Sequence, residues 1–377
     1  VYKRQHILIA RHLAQGHIQY MAIEQSTLLF AKLPLFDGLL ALLLRTTVGG
    51  IGTLRGLTGS LGVVTVAVLY GVARRTTGDR VFALLAAALL ALYPQAVLYS
   101  RLGFSYNLLA PLLLIVYWCL WEYLQSDSGS STGKWPWLVA AAIVTGGGTI
   151  SDLWMFSLIL PIAVVAASRR WQDLAWAGPL ACLPFSVFGL LMLARSPEPF
   201  WFDLSYTFSR LGGIPIPDQV RTLVLNYAAL VSQGYWVPLA IIGFFLLPSS
   251  SLRNLSLLLF LLPIVIIGRT EAIYSLSAYY MIPLLPLVAM GVAGLLRAAV
   301  PYAFRALRSA AASLIGGLWQ PRSPRTLRLS RVLNAVIGCV ILGAIVVSPV
   351  AVTGTQLAVQ VRDGFRTEID PFLINPQ

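Results

Sequence analysis

The chain has 377 residues, of which 58% are hydrophobic and only 11% charged, and its mean hydropathy is +0.78. Soluble domains carry about a quarter charged residues and single soluble cores stop growing near ~250–300 residues. A soluble enzyme, a disordered chain and a disulfide scaffold are thereby excluded. The net charge of +13 does not imply nucleic acid, because Arg and Lys stand in short breaks between apolar runs rather than in one stripe. Cys119, Cys182 and Cys339 all lie inside apolar runs and read as small buried hydrophobes. His6, His12 and His17 show no zinc-ligand spacing, so no metal is assigned. The fold class expected is all-α: a polytopic integral membrane helical bundle of about ten spans.

In chain order, residues 1–5 read Val-Tyr-Lys-Arg-Gln. They coincide with the in-frame translation of a transposase mosaic end used in sequencing-library preparation and are expected to be an adaptor scar. His6–Gln19 places Ile7, Ala10, Leu13, Ala14 and Ile18 on one helical face, with Arg11, His12, Gln15 and Gln19 around them. That pattern predicts a helix lying in the membrane interface, with Arg11 and the histidines toward headgroups. Ser26–Leu44 is more apolar, but Lys32, Pro34 and Asp37 interrupt its middle. Because charge at the bilayer centre costs several kcal/mol, it is placed at the membrane surface. Residues 6–55 are therefore expected to form a first external loop with juxtamembrane helices.

Residues 56–350 form the expected transmembrane domain. Its apolar runs are Leu57–Val72, Val81–Leu98, Leu108–Leu124, Trp137–Ile150, Leu153–Ala167, Leu174–Ala194, Trp236–Leu247, Leu255–Gly268, Tyr279–Leu296 and Val332–Val350. The breaks after odd-numbered runs hold fourteen of the 27 basic residues but only four of the 14 acidic ones. By the positive-inside rule that side is cytoplasmic, and its basic stretch 297–331 is expected along anionic headgroups. Trp118, Trp121, Trp135, Trp137, Trp171 and Trp176 flank the cytoplasmic ends and Trp154, Trp201 and Trp236 the outer ends, as an interfacial belt. A second external loop, 195–235, carries mixed charge, Pro and aromatics, and 351–377 is expected as an external tail truncated at its end.

An ordered set of features then resembles a known group. His6-Ile-Leu-Ile-Ala-Arg-His-Leu-Ala-Gln-Gly16 is followed by Lys32-Leu33-Pro34-Leu35-Phe36, then Arg55 opening a span and the basic turn Ala73-Arg74-Arg75-Thr76-Thr77-Gly78. Tyr93-Pro94 leads to Ser100-Arg101, and Ala278-Tyr-Tyr-Met-Ile-Pro-Leu-Leu-Pro286 opens a late span. This order is similar to the C-type (GT-C) polytopic membrane glycosyltransferases of family 39 type, the protein O-mannosyltransferase and aminoarabinose-transferase group. It covers most of residues 6–300.

The resemblance implies transfer of a sugar from a polyprenyl-phosphate carrier to an acceptor hydroxyl outside the cytoplasmic (inner) membrane. The partners would be membrane lipids, the lipid-linked donor and a glycan, lipid or protein acceptor. It implies a catalytic acidic motif, commonly Asp-Glu, just upstream of His6, where residues 1–5 now stand, so no catalytic acid is assigned within the chain. Lys32 resembles the Lys before Pro that binds the carrier phosphate, with Ala31 in place of a Glu and Leu33 inserted before Pro34. Pro199-Phe-Trp-Phe-Asp203 through Tyr206, Phe208 and Arg210 resembles an aromatic run whose Arg also holds phosphate, without the accompanying His. Leaving-group departure adds negative charge to the phosphate, so two fixed cations favour the transition state.

Arg101, Asp152, Arg269, Glu271, Tyr274, Tyr279 and Tyr280 sit at outer span ends and are candidates to line the cavity. Plainer roles compete: headgroup anchoring for Arg101, helix capping for Asp152, an Arg269–Glu271 ion pair, and interfacial placement of the tyrosines. Two other classes share parts of the pattern, a lipid-linked sugar flippase or transporter and an O-antigen ligase-like enzyme. Transporters predict mid-span polar groups and internal repeats, and the ligase-like enzymes a His in the late loop; the sequence has neither.

Overall fold

The computed structural model describes residues 2–16, 33–47, 50–125, 135–209, 215, 217–218, 236–268 and 278–299. Among them there is no strand. The helices in order are α1 (Tyr2–Ala14), α2 (Pro34–Thr46), α3 (Ile51–Thr77), α4 (Arg80–Leu92), α5 (Pro94–Ser100), α6 (Tyr106–Gln125) and α7 (Trp135–Thr149). A 3₁₀ turn (Leu153–Leu158) runs into α8 (Ile159–Arg169), followed by α9 (Leu174–Arg195), α10 (Pro197–Ser209), α11 (Trp236–Phe245) and α12 (Ser250–Gly268). A second 3₁₀ stretch, Ala278–Leu284, continues as α13, residues 285–299.

Local chemistry sets the boundaries. Gly78 ends α3 in the left-handed region (φ 69°), its N–H donating to the Arg74 carbonyl, a conformation glycine adopts without Cβ strain. Asp79 opens α4 at once, its carboxylate accepting from the amides of Val81 and Phe82 at 2.8 and 3.2 Å. Pro94 at the first position of α5 leaves Tyr93 extended, as the residue before a proline prefers. The run Val81–Leu98, expected as one span, is therefore broken into α4 and α5.

Five helical segments are long and apolar enough to cross a membrane: Ile51–Thr77, Tyr106–Gln125, Trp171–Arg195, Ser250–Ile267 and Tyr280–Ala299. Arg80–Leu92, Leu153–Arg169 and Trp236–Phe245 are apolar but shorter. These do not establish ten spans, and Val332–Val350 lies outside the described residues. Tyr106–Gln125 and Tyr280–Ala299 are mostly buried and form the centre, whereas most residues of Ile51–Thr77 and Trp171–Arg195 are half-buried or exposed. Leu183, Val187, Leu190 and Leu191 on α9 stand outward, an apolar exterior that only lipid accommodates without the hydrophobic cost of wetting. Within the centre, Tyr117 of α6 pairs with Ser256 of α12 at 2.8 Å. Gly243 of α11 meets α13 so closely that a Cβ there would lie 1.7 Å from the Gly291 carbonyl oxygen.

Charged residues collect at one end. Arg75 binds Glu122 through Nε and a terminal nitrogen at 2.6 and 3.2 Å, and Trp118 donates to the same carboxylate. Arg297 meets Asp79 at 2.6 Å, Tyr123 donates to Asp173 at 2.8 Å, and Arg169 donates to the Leu124 carbonyl. The breaks after α3, α6 and α8 thus share one end with the close of α13, as the charge pattern predicts. Two of the outer tryptophans depart from the belt expected of them. Trp154 and Trp236 are buried, Trp236 stacking on Tyr93 with centroids 4.5 Å apart. Trp121 of the cytoplasmic set is buried as well, whereas Trp135, Trp171 and Trp201 are exposed.

Candidate active site at the polar end of the bundle

The opposite end gathers the segments that carry the candidate residues. Gly148 closes α7 with a turn to Asp152, which caps the following 3₁₀ turn by accepting the Trp154 amide at 2.9 Å. Its other oxygen accepts a long hydrogen bond, 3.5 Å, from the Ser105 hydroxyl. The capping role considered for Asp152 is real, and it leaves the carboxylate half-exposed and joined to the loop before α6. Trp154 donates from its indole to the Tyr280 carbonyl at 3.1 Å, and the Tyr280 ring meets Tyr106 edge-on with centroids 5.5 Å apart. Three segments distant in sequence thus meet around Asp152.

Arg101 ends α5, its amide bonded to the Leu98 carbonyl at 3.1 Å. The loop that carries it is held by the buried Asn107, whose side-chain nitrogen donates to the carbonyls of Tyr99, Leu102 and Phe104 at 3.0–3.1 Å. Gly103 lies against α3, where a Cβ would come within 2.3 Å of Leu54. Arg101, Asp152 and Tyr280 are thereby fixed to connected pieces of one framework. Tyr279 falls in the second 3₁₀ stretch. Lys32, Arg210, Arg269, Glu271 and Tyr274 lie outside the described residues.

The flanks of Lys32 and Arg210 are described. Leu33 is buried with Phe188 and Met192 of α9, and Ile150, Leu153, Phe200 and Leu204 pack on this cluster. The Leu35 amide donates to the Ile150 carbonyl at 3.0 Å, tying the first turn of α2 to the Asp152 turn. Phe200 and Leu204 face inward from α10, whereas Trp201, Phe202, Tyr206 and Phe208 are exposed; Phe202 and Tyr206 stack in parallel. The aromatic run of the second loop is therefore an amphipathic helix, its outer face suited to the interface.

A buried His–Asp hydrogen bond lies outside the sequence expectations. His6 Nδ1 lies 2.5 Å from Asp37 Oδ1, with both residues nearly inaccessible, at 5% and 1%. The expectation that His6 faces headgroups is thus corrected: α1 (residues 2–14, not 6–19) turns His6, Ile7 and Ala10 inward and leaves Leu8 and Arg11 exposed. The signal was present in Asp37, a carboxylate within Leu-Phe-Asp-Gly-Leu-Leu, which must find a partner if its helix packs against protein. Among the described residues no three His, Cys, Asp or Glu side chains gather as a metal site.

Comparisons with known proteins agree with this architecture. Residues 34–197 match the family described as dolichyl-phosphate-mannose-protein mannosyltransferase. ArnT from Cupriavidus metallidurans bound to undecaprenyl phosphate is similar with a TM-score of 0.58 and 17% identity, over 95% of this chain and 70% of ArnT. Its apo structure gives 0.59 and 16%. The oligosaccharyltransferase AglB from Archaeoglobus fulgidus, in complex with an inhibitory peptide and a dolichol-phosphate, has a TM-score of 0.53 and 14% identity, over 94% of this chain and 51% of AglB. The chain thus spans about half of AglB. No curated protein sequence matches. At such identities the solved structures speak for the fold, and the family match speaks for residues 34–197. Together they show that the chain has the fold of the ArnT and AglB structures and that residues 34–197 match the dolichyl-phosphate-mannose-protein mannosyltransferase family.

Proposed function

We propose that this protein transfers a sugar from a polyprenyl-phosphate carrier to an acceptor hydroxyl at the external face of the cytoplasmic membrane. The observation that carries the reading is the apolar cluster around Leu33. It holds the residue following Lys32 beside α10, the helix that leads to Arg210, and both stand next to the Asp152 turn. Two loops distant in sequence thus converge at the polar end, away from the end rich in ion pairs. That end, with Arg75, Arg169 and Arg297, is assigned to the cytoplasm.

In the reaction the bond from the anomeric carbon to phosphate oxygen breaks and a bond to the acceptor oxygen forms. Lys32 and Arg210 neutralise the charge that grows on the departing phosphate, Arg offering a planar fork suited to two oxygens. The acceptor proton passes to a carboxylate, assigned to the acidic motif that the resemblance implies ahead of His6. Asp152, half-exposed beside Ser105 and Tyr280, lines the cavity and accepts a hydrogen bond from a sugar or acceptor hydroxyl. Arg101, Arg269, Glu271, Tyr274, Tyr279 and Tyr280 complete the lining, and the carrier tail lies along the apolar exterior.

The test is transfer by the full-length protein in proteoliposomes containing lipid-linked sugars extracted from its host, followed by release of the free polyprenyl phosphate. Lys32→Ala and Arg210→Ala are expected to lower turnover by about 100-fold, the scale of losing one charge-stabilising group, with expression intact. Wild-type turnover in both variants removes the phosphate assignment. Movement of labelled lipid across the bilayer without release of polyprenyl phosphate replaces transferase by transporter.

A further inference from the structure

The turn from α8 to α9, residues 169–173, takes no part in the reaction above, yet it is firmly held. The Arg170 amide donates to the Ala166 carbonyl at 2.8 Å and the Asp173 amide to the Arg170 carbonyl at 2.9 Å. The Arg169 guanidinium donates to the Leu124 carbonyl, and the buried Tyr123 donates to the Asp173 carboxylate at 2.8 Å. The last two ties fasten the turn to the end of α6 and engage its one acid in an inward contact. What the turn presents outward is Arg169, Arg170 and Trp171, all exposed. Trp171 is 73% accessible, and among the described residues no large apolar side chain is more exposed. Among the same residues neither arginine pairs with a carboxylate; Arg170 meets the Gln172 side-chain oxygen at 3.4 Å.

The place of the turn in the bundle accounts for that exposure. Leu160 and Val164 on α8, and Leu183, Val187 and Leu190 on α9, face outward, so both helices carry a lipid-facing side that ends at this turn. A tryptophan there lies at headgroup level, its ring against the glycerol and upper acyl region rather than in water. Two guanidinium groups beside it meet lipid phosphates, whose oxygens fit the planar fork. The charge of the headgroup then decides which lipid is held. Among the described residues arginines outnumber acids at this end, and the acids Asp79, Glu122 and Asp173 are each already hydrogen-bonded. A zwitterionic headgroup brings its own cation into this field, whereas an anionic one is attracted by every basic residue near it. We propose that the Arg169–Trp171 turn binds an anionic phospholipid of the adjoining leaflet, with both guanidinium groups on its phosphate and the Trp171 ring beside its glycerol backbone. The site is separate from sugar transfer and stands or falls independently of that reading.

The experiment titrates the detergent-solubilised full-length protein with phosphatidylglycerol and, separately, with phosphatidylcholine. Bound lipid is read by native mass spectrometry and the thermal midpoint is followed alongside. Phosphatidylglycerol is expected to bind more tightly and to raise the midpoint, as any ligand of the folded state does. Each arginine removed should weaken its binding about fivefold, and Arg169→Gln/Arg170→Gln about 25-fold, the attraction of one headgroup charge per basic residue. Arg170→Gln disturbs no tie to α6 and keeps the proposal testable if Arg169→Gln does not fold. Trp171→Ala should also weaken binding, whereas Trp171→Phe keeps most of it. Arg195→Gln, the same loss of charge at the far end of α9, should leave the affinity unchanged. Equal affinity for the two lipids, or full affinity in Arg170→Gln, overturns the site. An equal loss in Arg195→Gln and Arg170→Gln also overturns it, because net charge alone would then explain the binding. Complete displacement of the lipid by an equal concentration of inorganic phosphate overturns the lipid assignment in favour of a free anion.

Discussion

Replacing Asn107 by aspartate changes one amide group for one oxygen and keeps the side-chain shape, yet it should be among the most damaging substitutions at the polar end. Asn107 is 5% exposed, and its Nδ2 atom lies 3.0–3.1 Å from three carbonyl oxygens, those of Tyr99, Leu102 and Phe104. An amide nitrogen carries two N–H groups, so it serves three acceptors by sharing. Losing these bonds while the carbonyls remain turned inward costs about 2–3 kcal/mol. Asn107→Ala should incur this, whereas Asn107→Asp adds a buried carboxylate facing three carbonyl dipoles, at ~3 kcal/mol more. Each kcal/mol shifts the thermal midpoint of a sizeable chain by about 2–4 °C. In detergent at pH 8, Asn107→Ala is expected to melt well below wild type and Asn107→Asp lower still. Because the loop carries Arg101, turnover should fall in the same order. An Asn107→Asp protein as stable as wild type would refute the staple, since a carboxylate cannot donate to three carbonyls.

Other consequences concern packing and pH. Gly243→Ala places a methyl 1.7 Å from the Gly291 carbonyl oxygen and should cost about 3 kcal/mol, the upper range for overpacking. Gly147→Ala on α7 meets nothing within 4 Å and should gain up to ~1 kcal/mol of helix propensity; thermal midpoints of the two variants check the contrast. At the other end, the Arg297 hydrogen bond, with help from the Val81 and Phe82 amides, holds the Asp79 carboxyl below the usual carboxylate range. A carboxyl depressed on folding contributes its stability above the unfolded pKa of ~3.9 and loses it as pH falls through the lower folded value. With side chains 50% and 29% exposed, the pair should contribute only ~0.2–1 kcal/mol. The melting difference between wild type and Arg297→Ala should therefore be present at pH 7 and close as the pH is lowered below 4; a difference that persists at pH 3 would contradict it. Asp79→Ala should cost about 1 kcal/mol more than Arg297→Ala, because it also removes the helix cap.

The architecture was legible because the membrane imposes it through composition. Long apolar runs broken by Arg and Lys are required of any helix that crosses lipid, so α3, α6, α9 and α12 stand close to their expected places. The shared end of Arg75, Asp79, Glu122 and Arg297 follows from charge bias alone. Where expectation and structure part, tertiary packing decides. Nothing in Val81–Leu98 marks Tyr93 as a break except the proline after it. Trp154 and Trp236 have the composition of belt residues, and only the helices that cover them make them core.

The polar end was legible in its members and not in their partners. Asp152 was visible as an acid beside a span, and its capping of Trp154 follows from sequence neighbourhood. Its tie to Ser105 is a contact across 47 positions that no periodicity encodes. The same holds for His6 and Asp37, each of which reads alone as a solvated interfacial group. Paired, they disappear from the surface and join α1 to α2. A membrane bundle can take most of its cohesion from nonspecific apolar contact, which leaves rotation and register of its surface helices weakly determined. Directional polar contacts supply what is missing, and at this end they recur wherever candidate residues must be held. Asn107 staples the Arg101 loop, Asp152 caps the turn beside Tyr280, and His6–Asp37 joins α1 to α2. The polar groups too deeply placed to be interfacial mark where geometry, more than stability, is under constraint.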